Sequence, residues 1–192
     1  TGAARYNLWN NELIEGQKIF MAGYGTSGTG LLGHLSGTTS FYVKKTAENS
    51  LDVFDRDDEQ GFAGGPQEVW YADFDGYDFR GQFQNSFCQI GLNCSQYRGL
   101  NIEGNIGGGD SGGPSFVLGL DGELYLAGNN TFGGKWPDQV SGTYGTYFGG
   151  MAVAGYADWI SEVTAVPEPQ TYALMLTGLL AVGALARRRN QR

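Results

Sequence analysis

Short apolar runs, each stopped by glycine or by an Asp/Asn turn, set the rhythm of this chain. The run Lys18-Ile19-Phe20-Met21-Ala22-Gly23-Tyr24-Gly25 predicts a strand that ends in the glycine-rich turn 26–30. Further short strands are predicted at 41–45, 51–54 and 68–74, the last alternating apolar and polar positions. Asp121-Gly122 separates the strand-like runs 115–119 and 123–128, and Asp-Gly at that place predicts a tight hairpin. Residues 148–153 predict a last strand. Tyr156, Trp159, Ile160 and Val163 then recur at i, i+3, i+4 and i+7, one face of a helix expected to pack on the core. Val166-Pro167-Glu168-Pro169 is expected to break that helix, and residues 172–186 form an uncharged, mainly apolar run.

Composition agrees with many short strands. Of 192 residues 33 are glycine, 11 tyrosine and 11 phenylalanine, and only 17% are charged. The length suits one ordinary domain with an appendage. Net charge is −8, unevenly spread: residues 166–192 carry one Glu and four Arg, leaving −11 on residues 1–165. An acidic body argues against nucleic-acid binding, which needs a basic patch, and favours solubility. Two acidic stretches, Asp55-Arg56-Asp57-Asp58-Glu59 and Asp73-Phe74-Asp75-Gly76-Tyr77-Asp78, are dense in oxygen ligands. Gly76 is misplaced for a calcium loop, and turn chemistry accounts for both, so no metal and no cofactor is expected. Cys88 and Cys94 lack histidine neighbours and make a poor zinc site. A local disulfide, worth roughly 2 kcal/mol in an oxidising compartment, stands beside two free thiols as their reading.

The candidate chemistry lies in Gly107-Gly108-Gly109-Asp110-Ser111-Gly112-Gly113-Pro114. Glycines allow positive φ and a close approach of substrate, and they leave amides free to face a developing oxyanion. The run from Gly109 to Pro114 resembles the nucleophile motif of the chymotrypsin/trypsin-like serine proteases. The resemblance implies Ser111 as nucleophile, with the Gly109 and Ser111 N–H groups as oxyanion hole. It implies for Asp110 a salt bridge to the new N-terminus after zymogen activation. Asn105, six residues before Ser111, is placed at the base of the pocket for the side chain preceding the cut. As an amide it offers no carboxylate to a buried Lys or Arg, so basic specificity is not expected. Thr131-Phe132-Gly133 resembles the segment that pairs with substrate backbone and walls that pocket. Gly23-Tyr24-Gly25 resembles the first strand of the second barrel, and Asp73-Phe74-Asp75 is similar to a stretch in exported bacterial members. The family's triad histidine and aspartate would lie on a first barrel. The one histidine, His34, lacks the context of the catalytic one and reads as a loop residue.

The tail resembles the PEP-CTERM sorting signal of Gram-negative bacteria: Pro167-Glu168-Pro169, a short apolar helix, then Arg187, Arg188 and Arg189. That resemblance implies export across the inner membrane, transient anchoring through residues 172–186, cleavage by an exosortase near Pro167-Glu168-Pro169, and release or attachment at the surface. The apolar run spans about 22 Å as a helix, short of the ~30 Å hydrocarbon core.

The resemblances together imply an all-β fold, the C-terminal half of a chymotrypsin-like double β-barrel. Residues 1–16 would end the first barrel, 17–165 form an antiparallel Greek-key second barrel closed by a short helix, and 166–192 form the sorting tail with a transmembrane helix. The expected function is that of an exported serine endopeptidase acting on peptide or protein substrates. Its triad His and Asp would be missing from this N-terminally truncated stretch, which alone would be inactive. The alternative is a non-catalytic protease homologue displayed at the cell surface as a binding or matrix protein.

Overall fold

The structure, a computed structural model, describes residues 5–56, 65–94, 98–99, 102–165 and 168–189. Two compact units emerge, residues 1–157 and 158–192.

The first unit is mostly β. In chain order its strands are β1 (Lys18–Gly23), β2 (Gly28–Thr29), β3 (Gly33–His34), β4 (Lys45–Ser50), β5 (Val53–Arg56), β6 (Gln67–Asp73), β7 (Gly76–Tyr77) and β8 (Phe83–Gln84). A one-turn helix α1 (Ser86–Gln89) follows, then β9 (Pro114–Leu118), β10 (Leu124–Asn129), β11 (Phe132–Gly134) and β12 (Tyr147–Met151). All ladders between these strands are antiparallel. They make one sheet of order β10-β9-β1-β4 and another of order β11-β12-β6-β5, with two small hairpins, β2-β3 and β7-β8.

The expected closed barrel is not what the ladders form. Two four-stranded sheets stand in its place, because the pairing is interrupted where a strand bends from one sheet into the other. β4 runs into β5 through Leu51-Asp52, and β10 runs into β11 through Asn130-Thr131. At the first corner the Asp52 amide still donates to the Tyr71 carbonyl at 2.9 Å. Near the second, a bulge between Leu126 and Gly128 lets Gly128 bridge to Ala152 beyond β12. The approach there is close: a Cβ on Gly128 would lie 2.2 Å from the Met151 carbonyl oxygen.

The core sits between the sheets. Ile19 and Met21 from β1, Val117 from β9, Ala127 from β10, Trp70 and Ala72 from β6 and Phe148 from β12 are buried together. The Trp70 and Phe148 rings meet edge to face, centroids 6.0 Å apart. Strand alternation explains the inner set, since Ile19 and Met21, like Trp70 and Ala72, are two residues apart.

The predicted strand at 41–45 is corrected. Phe41 and Tyr42 are almost fully exposed and only Lys45 begins a strand. Three adjacent apolar residues do not alternate, so no single face of a sheet can bury them. β4 itself is polar, and Asn49 earns its buried place by donating to the Asp73 and Gly104 carbonyls at 2.7 and 3.1 Å. Of the acidic run 55–59, Asp57, Asp58 and Glu59 lie outside the described residues. Arg56 pairs with Glu12 and Asp55 accepts from the Tyr71 hydroxyl. Cys88, within α1, is joined by a disulfide to Cys94 beyond it.

The second unit holds helices α2 (Ala157–Thr164, which starts at the junction) and α3 (Glu168–Arg189). α2 forms where the sequence period placed it, but Trp159 and Val163, on the face expected to pack, are 62% and 58% exposed. α3 begins at Glu168, so Glu168 and Pro169 open a helix; proline is tolerated in a first turn, where its missing N–H has no intrahelical partner anyway. Pro167 lies outside the described residues. The expected transmembrane helix is corrected as well: among the described residues no helix is long and apolar enough to cross a membrane. The helix is 22 residues long, but its final turn carries the arginines and shortens the apolar stretch.

Candidate active site around Ser111

The turn between Ile106 and β9 is held from below and open above. Its own backbone closes it: the Asp110 amide donates to the Gly107 carbonyl at 3.0 Å and the Gly113 amide to the Asp110 carbonyl at 2.9 Å. Gly109 takes φ +97°, a conformation that costs a residue with a Cβ. The Gly112 amide donates to the Asn130 carbonyl and the Asn130 amide to the Gly113 carbonyl, both at 2.8 Å. That pair ties the turn to the β10–β11 corner.

Asp110 anchors the turn to β1. Its carboxylate oxygens accept from the Gly25 amide at 2.6 Å and the Gly107 amide at 2.8 Å. Gly23 and Gly25 make room for it: a Cβ on either would lie within 2.0 to 2.7 Å of the carboxyl atoms. In this structure Asp110 therefore serves backbone amides.

Ser111 is exposed at the crest. Among the described residues neither the Gly109 nor the Ser111 amide donates a hydrogen bond, and the Ser111 hydroxyl has no partner. Free amides beside an exposed hydroxyl are what an oxyanion-stabilising turn requires.

A cavity of about 390 Å³ opens beside Ser111, and the structure brings Asn105, Thr131, Phe132 and Gly133 to its wall. Its size is that of a small-ligand pocket. The Asn105 Nδ2 donates to Thr146 Oγ1 at 3.0 Å, and Thr146 Oγ1 donates to the Thr143 carbonyl at 2.7 Å. The second bond commits the hydroxyl proton, so Asn105 must present its NH2 to Thr146, and its buried Oδ1 has no partner among the described residues. Thr131 donates from Oγ1 to Asn129 Oδ1 at 2.9 Å. Phe132 and Gly133 lie on β11, the edge of its sheet, paired to β12 on one side only.

Sequence reasoning left His34 out, and the structure puts it on the wall of the same cavity. It stands at the end of the β2-β3 hairpin, its amide donating to the Ser141 carbonyl at 3.0 Å. The imidazole lies against Gly142, where a Cβ would come within 2.3 Å of it. Neither the two-residue strands nor the short Gly- and Leu-containing loop around them carries a periodic signal.

Below the site lies a cluster the sequence did not reveal. Asp52, Asp73, Asp75 and Glu103 are all at most 8% exposed. Asp73 accepts from the Phe87 amide at 3.0 Å; the Asp75 amide donates to Glu103 and Asn85 Nδ2 to Asp75, at 2.8 and 2.7 Å. Burial pushes Asp52 up to about 8, and the Asp73 charge adds to it. Burial and then the Asp73 charge push Asp75 up to about 9. Glu103 rises to about 7 by burial, against the amides that bond it. Asp73 is also raised by burial, but the Phe87 and Ser86 amides and the neighbouring carboxyls oppose the rise. Burial therefore favours the protonated forms of Asp52, Asp75 and Glu103. Among the described residues no group of His, Cys, Asp or Glu is arranged to hold a metal.

Residues 165–189 match the family of the PEP-CTERM protein-sorting motif. The match covers the tail, including Glu168, Pro169, Arg187, Arg188 and Arg189, and marks an exported protein; it does not reach the β-rich body. No curated protein matches the chain.

Proposed function

We propose that the β-rich body carries the nucleophile and the binding cleft of an exported serine endopeptidase of chymotrypsin-like type. The observation that carries this reading is the pair of uncommitted amides, Gly109 and Ser111, beside an exposed Ser111 hydroxyl on a cavity walled by Asn105 and β11. The cyclic order of the strands, with two segments shared between sheets, supports it as well, since a six-stranded barrel with bent corner strands would have that order.

In this reading Ser111 Oγ attacks the scissile carbonyl while a histidine, oriented by an aspartate, takes its proton. The Gly109 and Ser111 amides hold the oxyanion, each worth ~2.7–4 kcal/mol at the transition state. The histidine returns the proton to the leaving amine, and water then cleaves the acyl-enzyme by the same steps. This reading requires that histidine–aspartate pair in addition to the residues described beside Ser111. Free edge β11 pairs with the substrate backbone. An exosortase processes the tail near Pro167-Glu168-Pro169, leaving the enzyme at the surface or in the extracellular matrix. Labelling of the protein purified from its native host by a fluorophosphonate probe, absent in Ser111→Ala, tests this reading.

A specific observation favours the second reading, a surface-displayed homologue that binds peptide without cleaving it. The Ser111 hydroxyl has no hydrogen-bonded base among the described residues, and the sequence holds a single histidine. Failure to label under conditions that label a control serine hydrolase leaves an inactive zymogen or this homologue, and sequencing the mature N-terminus separates the two.

A further inference from the structure

The cavity beside Ser111 belongs to a body of strongly acidic composition, yet no Asp, Glu, Lys or Arg lies on its described wall. Its side-chain groups divide into spent and unspent. The Thr26 hydroxyl donates to the Gly108 carbonyl at 3.0 Å, the Thr146 hydroxyl to Thr143, and the Thr131 hydroxyl to Asn129. Asn105 gives its NH2 to Thr146, and its oxygen has almost no accessible surface. Besides the Ser111 and Tyr147 hydroxyls and the enclosed Asn105 oxygen, two wall groups are unengaged by any described residue: the His34 imidazole and the Ser141 hydroxyl, on neighbouring segments joined by the His34 amide to Ser141 carbonyl bond. Both can donate hydrogen bonds.

A cavity whose free side chains donate, and which holds no carboxylate, discriminates among substrates. A Lys or Arg side chain would bury a charge with no partner. A primary amide would offer those donors only a neutral oxygen, the weaker kind of acceptor. A carboxylate accepts from both donors at once, and hydrogen bonds to an ionised acceptor are the stronger kind. Asp110 and Glu103 do not line the cavity, and both oxygens of each accept from backbone amides.

We infer that this cavity takes an acidic side chain, Glu or Asp, with His34 and Ser141 as the groups that recognise its carboxylate. The inference rests on the peptide-binding reading of the cleft and gives it a substrate class: cleavage, or binding, at an acidic residue.

The test uses Ser111→Ala protein from the native host and three acetylated tetrapeptides that differ only in a last residue of Glu, Gln or Lys. Binding to the Glu peptide at least tenfold tighter than to the other two is the expected result. That ratio is expected to fall to about one in a Ser111→Ala, His34→Ala double variant, and by several-fold when Ser141→Ala, at an exposed position, replaces the second change. Equal affinities, preference for Gln or Lys, binding of none of the three, or an equal loss for all three in the His34 variant would overturn the inference. Fluorophosphonate labelling of the unaltered protein separates the two ideas. Labelled protein without a Glu preference sinks only the acidic specificity; unlabelled protein that keeps the preference sinks only the peptidase reading.

Discussion

Asp110 fills the space that Gly25 leaves empty: the Gly25 amide donates to its Oδ1 at 2.6 Å, and a Cβ on Gly25 would lie 2.6 Å from its Cγ. The turn that lifts Ser111 is thus seated on a missing side chain 85 residues away in sequence. Gly25→Ala is expected to unseat Asp110 and slow fluorophosphonate labelling of Ser111 at least tenfold. Gly112→Ala is the comparison. It meets open space but sits at φ +79°, so a stability loss of about 1 kcal/mol is expected from backbone strain alone. Labelling rates and urea midpoints of the two variants check the contrast.

Replacing Asp110 by Asn keeps the shape and removes one acceptor. Of the Gly25 and Gly107 amides one then faces an NH2 group. Such an unsatisfied donor costs about 1–3 kcal/mol, and chemical denaturation at neutral pH is expected to show a loss in that range.

The carboxylate cluster makes stability fall with rising pH. Asp52, Asp75 and Glu103 titrate in the unfolded chain near 4 and in the folded one near 8, 9 and 7. Their contribution is whole below about pH 4 and is lost progressively as pH rises to about 9, by up to about 1.4 kcal/mol per group per unit. Asp75→Asn imitates the protonated acid and is expected to flatten the alkaline part of the curve. Urea midpoints at pH 5 and 9 for both proteins measure it; an unchanged slope would refute the assignment of a proton to Asp75.

At the place where the two sheets touch, Gly128→Ala drives a methyl into the Met151 carbonyl, 2.2 Å away, and toward Trp70 Nε1, 2.8 Å away. Both obstacles are held by the core, and a loss of about 2–3 kcal/mol is expected, as for other overpacked sites. Calorimetry of the purified protein reads it as a lowered Tm.

The elements with a strong local signal were legible in the sequence. Asp121-Gly122 forms its hairpin, with Gly122 at φ +81°, and the runs around Ile19, Trp70 and Phe148 form strands whose apolar side chains meet in one core. β4 was not legible, because its buried end carries the polar Asn49 and Ser50 rather than apolar side chains. Asp52 and Glu103 read as ordinary acidic residues, since what buries them is the convergence of three distant segments. His34 was passed over for a related reason: its role is set by Ser141 and Gly142, more than a hundred residues on.

Asn130 stands at the corner where β10 becomes β11. It is 1% exposed; Ser115 donates to its side chain at 2.8 Å, its Nδ2 reaches the Ala22 carbonyl at 3.4 Å, and its backbone exchanges two bonds with the Ser111 turn. One residue thereby clamps β1, β9, the Ser111 turn and the root of the cavity wall. On the peptide-binding reading proposed above, β11 and Ser111 form a fixed jaw, and adaptation to a bound chain is expected from the opposite side, around His34 and Ser141.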